Sequence, residues 1–437
     1  MISMLAALGV AFGVGLPISR SIDPGADPLL RAGTSFLYGS GAIFLALLAL
    51  SMLGIAWSAL SVGAALCVLF AAAAILAWRA RPGSAAAPPR LHLLDVLTLA
   101  ALAGYVLYAT FAPPYEVDFW AIWGLKARAF FVAGGVDWRF LESRWNAFQH
   151  PDYPLLVPLD FAFAALVNGG WDDRWIGLFH AAWGASLVLV VRSLAARALS
   201  PLCAALAAFA LCAPCFSHSV GLAEAAYLAF SAAAVLFLRE ALRGEDASAW
   251  RHGALLLGFA ANCKNEGLAL IAAVAVGLAV AGPRTEIVPR LRRLWPALAV
   301  AAPWIALRAA HALPTDIASG GAAARLMERL AHAEAILALL AARLNQPESW
   351  IALAAALLVV PASALARERF VFVATAIQLG FFIAAYFATP YDVAWHVWTS
   401  WPRLTAQLAV PVSFVVLLKL LEVLTAPSGT PTRGSTA

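Results

Sequence analysis

Apolar residues along the chain come in continuous runs at about 2–18, 34–54, 56–78, 91–112, 155–168, 174–191, 201–214, 219–238, 253–281, 294–311, 349–366, 370–388 and 403–421. Charged residues, Pro or Gly close each run. Such runs predict helices that cross a bilayer, whose hydrocarbon core takes about 20 apolar residues in helical form. The pattern is that of an all-α polytopic membrane protein with about 12–13 transmembrane helices. A membrane β-barrel is excluded, because barrel strands alternate apolar and polar positions instead of running on.

Polar positions set the order of crossing. Basic residues gather in five connections: Arg79, Arg81 and Arg90; Arg192 and Arg197; Arg239, Arg243 and Arg251; Arg284, Arg290, Arg292 and Arg293; Arg367 and Arg369. By the positive-inside rule these face the cytoplasm, which puts 113–153 outside with the turns near 215–223, 312–332 and 390–402. Only one of the runs 155–168 and 174–191 then crosses fully. The shorter one, with Asp160 and Asn168, is the better partial or re-entrant helix. Run 253–281 has Asn262, Lys264, Asn265 and Glu266 at its middle, so it reads as two short helices meeting at an outward turn. Residues 325–344 carry Leu326, Leu330, Leu337, Leu340 and Leu344 at helical spacing and predict a helix along the outer interface. The Ser-, Thr-, Gly- and Pro-rich stretch 427–437 predicts disorder.

Composition agrees: of 437 residues, 63% are hydrophobic and 12% charged, against about 45–50% and 25% in soluble proteins. The formal charge of +5 follows from the basic turns and calls for no nucleic-acid partner. The five cysteines, Cys67, Cys203, Cys212, Cys215 and Cys263, sit in or beside apolar runs and imply no disulfide framework. Cys212-Ala-Pro-Cys215 has redox spacing without a βαβ setting. The first run has no basic residues ahead of it and reads as a retained helix.

Candidate chemistry is concentrated at the outer side. Pro113–Arg128 follows a crossing helix and carries Glu116, Asp118, Trp120 and Trp123. The tryptophans suit an interfacial belt, and Asp118 suits a general base taking the proton of an attacking hydroxyl. Glu116 is placed to share a cation with it or tune it. His150-Pro151-Asp152-Tyr153-Pro154 leads into the short helix, with His150, Asp152 and Tyr153 as further candidates. Glu224 begins a span where an unpaired acid is costly. Lys264 suits a phosphate as a point charge, with Glu266 as its alternative partner. Arg403 heads the last run, where a guanidinium suits a phosphate fork, with His396 nearby. His180, inside an apolar run, reads as a packing histidine.

An acid in the first large outer loop, an aromatic and basic helix and a proline motif entering a membrane helix resemble the GT-C glycosyltransferases that use polyprenyl-phosphate sugars. Protein O-mannosyltransferases and lipid A aminoarabinose transferases belong to that superfamily. The resemblance continues through Gly170-Trp171-Asp172-Asp173-Arg174, Ser193–Arg197, Ser217–Glu224 and Gly258–Gly267, and so covers about 113–285. The extra helices of the first 90 residues and the Asp152-Tyr153 insertion between prolines depart from the family pattern.

The resemblance implies a GT-C-like helical bundle with an extracytoplasmic catalytic loop. Its parts would be added helices at 1–90, a conserved module at 91–311 with loop 113–153, a C-terminal module at 312–426 and the tail. It implies inverting sugar transfer from a polyprenyl-phosphate donor to a glycolipid, polysaccharide or protein, at the outer face of a cell inner (plasma) membrane. Asp118 would be the base, and Lys264 and Arg403 would hold the donor phosphate. Glu116, Asp118 and Glu224 are the groups that would gather a divalent cation, Mg²⁺ or Mn²⁺, if one takes part. A secondary transporter or a noncatalytic subunit of a polysaccharide assembly system is the alternative.

Overall fold

The computed structural model describes residues 2–80, 86–315, 321–344 and 357–425. Among them the regular structure is entirely helical. In chain order the helices are α1 (Ile2–Ile22), α2 (Pro28–Met52), α3 (Ala59–Arg79), α4 (Asp95–Phe111), α5 (Gly124–Ala133), α6 (Trp138–Glu142), α7 (Leu156–Asn168), α8 (Ile176–Ala196), α9 (Pro201–Cys215) and α10 (Ala223–Gly244). There follow α11 (Ala247–Cys263), α12 (Glu266–Val280), α13 (Ile287–Arg292), α14 (Trp295–Ala310), α15 (Ala322–Leu330), α16 (Ala333–Leu344), α17 (Ala362–Ala366), α18 (Arg369–Ala388) and α19 (Val393–Thr425). Seven of these, α1, α2, α3, α8, α10, α18 and α19, are long and apolar enough to cross a membrane, and α4, α7, α9, α12 and α14 are apolar but shorter. By length and composition this is a polytopic helical membrane protein.

Side-chain contacts sort the helix ends into two groups. At one end Arg192 at the close of α8 grips Asp95 at the start of α4 (2.7 Å), and Ser193 donates to Asp27, the N-cap of α2. There too Arg239 late in α10 meets Glu368, just before α18 (2.6 Å), and Lys419 late in α19 approaches the same carboxylate (3.5 Å). Three of the helices that start at this end do so on polar N-caps, Asp27 followed by Pro28, Ser200 followed by Pro201, and Asp246, whereas α4 begins behind Leu94 with no side-chain cap. The opposite end gathers segment 113–153 and the connections at 216–222, 264–265 and 389–392. There Trp57 N–H donates to Gly134 (2.7 Å), Val136 N–H to Ser51 (3.0 Å) and Arg325 to the Ala388 carbonyl (3.0 Å). All the described basic turns thus lie at one end, as the charge pattern predicts.

Helix α7 is the exception to the alternation of ends. Its 13 residues span about 20 Å, short of a bilayer core. It follows the 113–153 segment, and Asn168 at its close accepts a hydrogen bond from Ser3 at the start of α1, back at the same end. Between these points Asp160 dips into the core, where Ser40 of α2 donates to it and Trp183 of α8 donates to Ser40 (3.1 Å). This is the partial helix that the parity of the basic turns requires.

The main core lies around α10, nearly all of which is buried, with α2, α7, α8 and α11. Helices α1, α2 and α3 contribute to it. In α1 and α2 the backbones touch: a Cβ on Gly39 would stand 1.7 Å from the Ala11 carbonyl oxygen, so only glycine fits. A second apolar cluster joins Ile336 and Leu340 of α16 to Phe382 and Tyr386 of α18 and Trp401 of α19.

Three expectations need correction. The interfacial helix at 325–344 is two helices, α15 and α16, parted at Ala331–His332. The segment 390–402 is not an outer turn beyond Asp392, because α19 already begins at Val393 and runs for 33 residues. The 113–153 segment is mostly helical, with a π-turn at Phe119–Trp123, then α5 and α6. Residues 349–356 of run 349–366 and the tail 427–437 lie outside the described residues.

Candidate functional site

Three connections close over the end of the bundle opposite the basic turns. Asp118 immediately precedes the π-turn Phe119–Trp123, a widened helical turn of a kind often found at functional positions. Phe119, Ile122 and Trp123 are buried and anchor it. Phe119 fits because Gly221 stands opposite with φ +90°, and a Cβ there would meet the Phe119 ring at 2.6 Å. Tyr115 and Glu116 reach the same turn: Ser219 donates to Glu116 (2.7 Å) and shares a hydrogen bond with the Tyr115 hydroxyl (3.1 Å).

Beneath this lid five charged groups form one chain. Arg403 Nη1 lies 2.6 Å from Asp118 and 3.4 Å from Glu224. Lys264 Nζ lies 3.0 Å from Glu224 and 2.9 Å from Glu266. Asp118, Glu224, Lys264, Glu266 and Arg403 are separated by as many as 285 positions, and tertiary structure joins them all. Glu224 and Lys264 are enclosed, with 3% and 7% of their side chains exposed, while Asp118 and Arg403 keep 33% and 28%. The solvent side of the chain is therefore the Asp118–Arg403 pair. Two atoms inside it lack partners: Nε of Arg403 and Oε2 of Glu224. A buried donor and acceptor left open point to a polar group that completes the site.

Helix lengths fix its depth. Glu224 stands in the first turn of the 22-residue α10, about 30 Å from the far end. Arg403 leaves about the same length of α19 below it. The charges sit at a mouth, one bilayer thickness from the basic end.

Asp152 is adjacent through Asn265, whose amide donates to it (2.8 Å), and Arg308 of α14 approaches at 3.9 Å. Burial raises the Asp152 pKa, against the pull of Arg308 and Asn265. His150 has a left-handed backbone (φ 53°) and its carbonyl accepts from the buried Lys126. Its ring stacks on Tyr153 (4.6 Å), which in turn stacks on Trp123 (5.5 Å). His396 lies edge-on to Tyr386 (4.9 Å) and Tyr391 (5.7 Å). His150, Tyr153 and His396 thus contribute aromatic ring contacts around the site. Buried His180 approaches the His218 carbonyl (3.1 Å), as a packing histidine would. His218, in the turn beside Glu224, is driven by burial down to about 4.

Among the described residues no group of three His, Cys, Asp or Glu side chains is placed to hold a metal. Arg403 stands between Asp118 and Glu224, and Glu116 turns to Ser219. The cysteines are free, and Cys212 and Cys215 are buried.

Arg308 and Ser219 are partners that the sequence reading did not single out. Arg308 carried a usable signal, a charge inside an apolar run; Ser219 carried none. Comparison with known families, with curated proteins and with solved structures finds no match.

Proposed function

We propose that the protein is a membrane glycosyltransferase taking its sugar from a polyprenyl-phosphate donor, with the site on the extracytoplasmic face. The observation that carries this reading is the mouth-level chain Asp118–Arg403–Glu224–Lys264–Glu266, with a carboxylate at its solvent end and an unpartnered guanidinium Nε beside it. An amphiphilic substrate with a charged head and a long apolar tail needs this placement, with charge at the membrane edge. The resemblance of 113–285 to the GT-C superfamily supports the same reading.

In the reaction Asp118 accepts the proton of the acceptor hydroxyl as that oxygen bonds to the anomeric carbon. The bond from that carbon to the phosphate oxygen breaks, and its electron pair leaves with the polyprenyl phosphate. Arg403 and Lys264 balance the charge gained by the leaving group. Attack opposite the leaving phosphate inverts the anomeric centre. The acceptor is a glycolipid, polysaccharide or protein, and the membrane is the cell inner (plasma) membrane.

The test is transfer of labelled sugar from polyprenyl-phosphate donors by purified protein. Asp118→Asn keeps the side-chain size and removes the base, so transfer should fall by about 10²–10⁴ with insertion unchanged. Lys264→Ala should raise the donor KM more than the acceptor KM. Unchanged transfer by Asp118→Asn would move the transporter or assembly-subunit reading ahead.

A further inference from the structure

The carboxylate assigned as base is already paired. Arg403 Nη1 lies 2.6 Å from Asp118 and 3.4 Å from Glu224, so one nitrogen bridges the outer and the enclosed acid. A carboxylate oxygen that accepts a hydrogen bond from a guanidinium is turned to that donor and not to the hydroxyl of an acceptor. Lys264 is occupied likewise, by Glu224 and Glu266. The chain holds three carboxylates against two cations, so neither cation is idle and an arriving phosphate must compete for one.

The two cations differ in how they can answer. Lys264 is enclosed and its two acids sit on helices α10 and α12. Arg403 is partly exposed, its Nε has no partner, and its outer acid is held on the 113–123 segment instead of a long helix.

We propose that Arg403 masks Asp118 until a lipid phosphate binds, and that its move to the phosphate frees the base, so that the donor must bind before the acceptor reacts. This rests on the glycosyltransferase reading. The exchange conserves charge: Arg403 trades one carboxylate oxygen for one phosphate oxygen, keeps Glu224 as its hinge and brings Nε into use. During transfer the phosphate gains negative charge while Asp118 loses it by taking the proton. The guanidinium therefore follows the charge in the direction the reaction needs. Arg403 is a positioning residue for Asp118 as well as a ligand for the phosphate.

The test reads Asp118 directly and needs no turnover. Purified protein is treated with a water-soluble carbodiimide and an amine, and mass spectrometry compares modification at Asp118 with that at exposed Glu328. Farnesyl phosphate is the probe, and its binding is followed separately by thermal shift. Without it Asp118 should lag behind Glu328, and with it modification should rise about threefold, the factor a partly exposed ion pair is worth. Arg403→Gln should show the raised level from the start and no response to the probe. Binding of farnesyl phosphate with Asp118 modification unchanged overturns the mask and leaves the donor reading standing. Absence of binding overturns the donor reading and the mask with it. Inorganic phosphate forms a second arm: release by farnesyl phosphate alone assigns the lipid as the trigger, and release by both assigns the phosphate group.

Discussion

Lys264 is a residue whose loss the structure should penalise heavily. It is enclosed and stands between Glu224 and Glu266. Removing one partner of a buried pair leaves a charge without compensation, at a cost of about 3–5 kcal/mol. Lys264→Met should therefore lower thermal stability in detergent, and Lys264→Met with Glu224→Gln should recover part of it. Additive losses in the double variant would show that the two groups do not interact. His218 gives a second prediction, with a sign fixed by its depressed pKa. The unfolded chain takes a proton near 6.5 and the folded one near 4, so this residue adds stability above about 6.5 that is lost as the pH falls towards 4. The drop in melting temperature from pH 7 to pH 4.5 should be smaller in His218→Gln than in the parent protein. An equal drop would show that His218 titrates in the folded protein as it does in water.

At the scale of elements, boundaries were legible where polar residues interrupt an apolar run. Lys264-Asn265 parts α11 from α12 because four polar groups in mid-span have no place in lipid unless the chain turns at a surface. The break at Ala331–His332 was not legible, since neither residue opposes a helix strongly and the leucine spacing runs across it. The start of α19 at Val393 was missed for the opposite reason. Three tryptophans and a histidine looked like a loop, although Trp395, Trp398 and Trp401 already stand three apart. The individual site residues were legible as charges at the edges of spans. Their pairing was not, because Arg403 meets Asp118 only through the whole order of helices. Helices α1 and α2 show what sequence periodicity does not reveal at all, a backbone contact through Gly39 and Ala11. Gly39→Ala should force the two apart and cost about 1–3 kcal/mol, as overpacked cores do. A melting temperature equal to the parent's would mean that this contact is looser than the geometry indicates.

At the scale of the molecule, one argument ties topology to chemistry. The basic turns and the Asp118 chain occupy opposite ends of the bundle, joined by spans such as α10 and α19 that hold a site acid or cation near one end and Arg239 or Lys419 near the other. If positive charge stays on the cytoplasmic side, the site is extracytoplasmic, and a soluble nucleotide sugar could not reach it from the cell interior. A lipid-linked donor presented at the outer face could. The orientation is testable with single cysteines in a Cys67→Ser background, since Cys67 is the exposed native thiol among the described residues. Arg144→Cys, on an exposed stretch of the 113–153 segment, should react with an impermeant maleimide in intact cells, and Thr285→Cys, in a basic turn, only after permeabilisation. The reverse pattern would place the mouth in the cytoplasm. The carboxylate and cations would keep their geometry there, but the donor would have to be reconsidered, because a lipid carrier is no longer the only sugar source within reach.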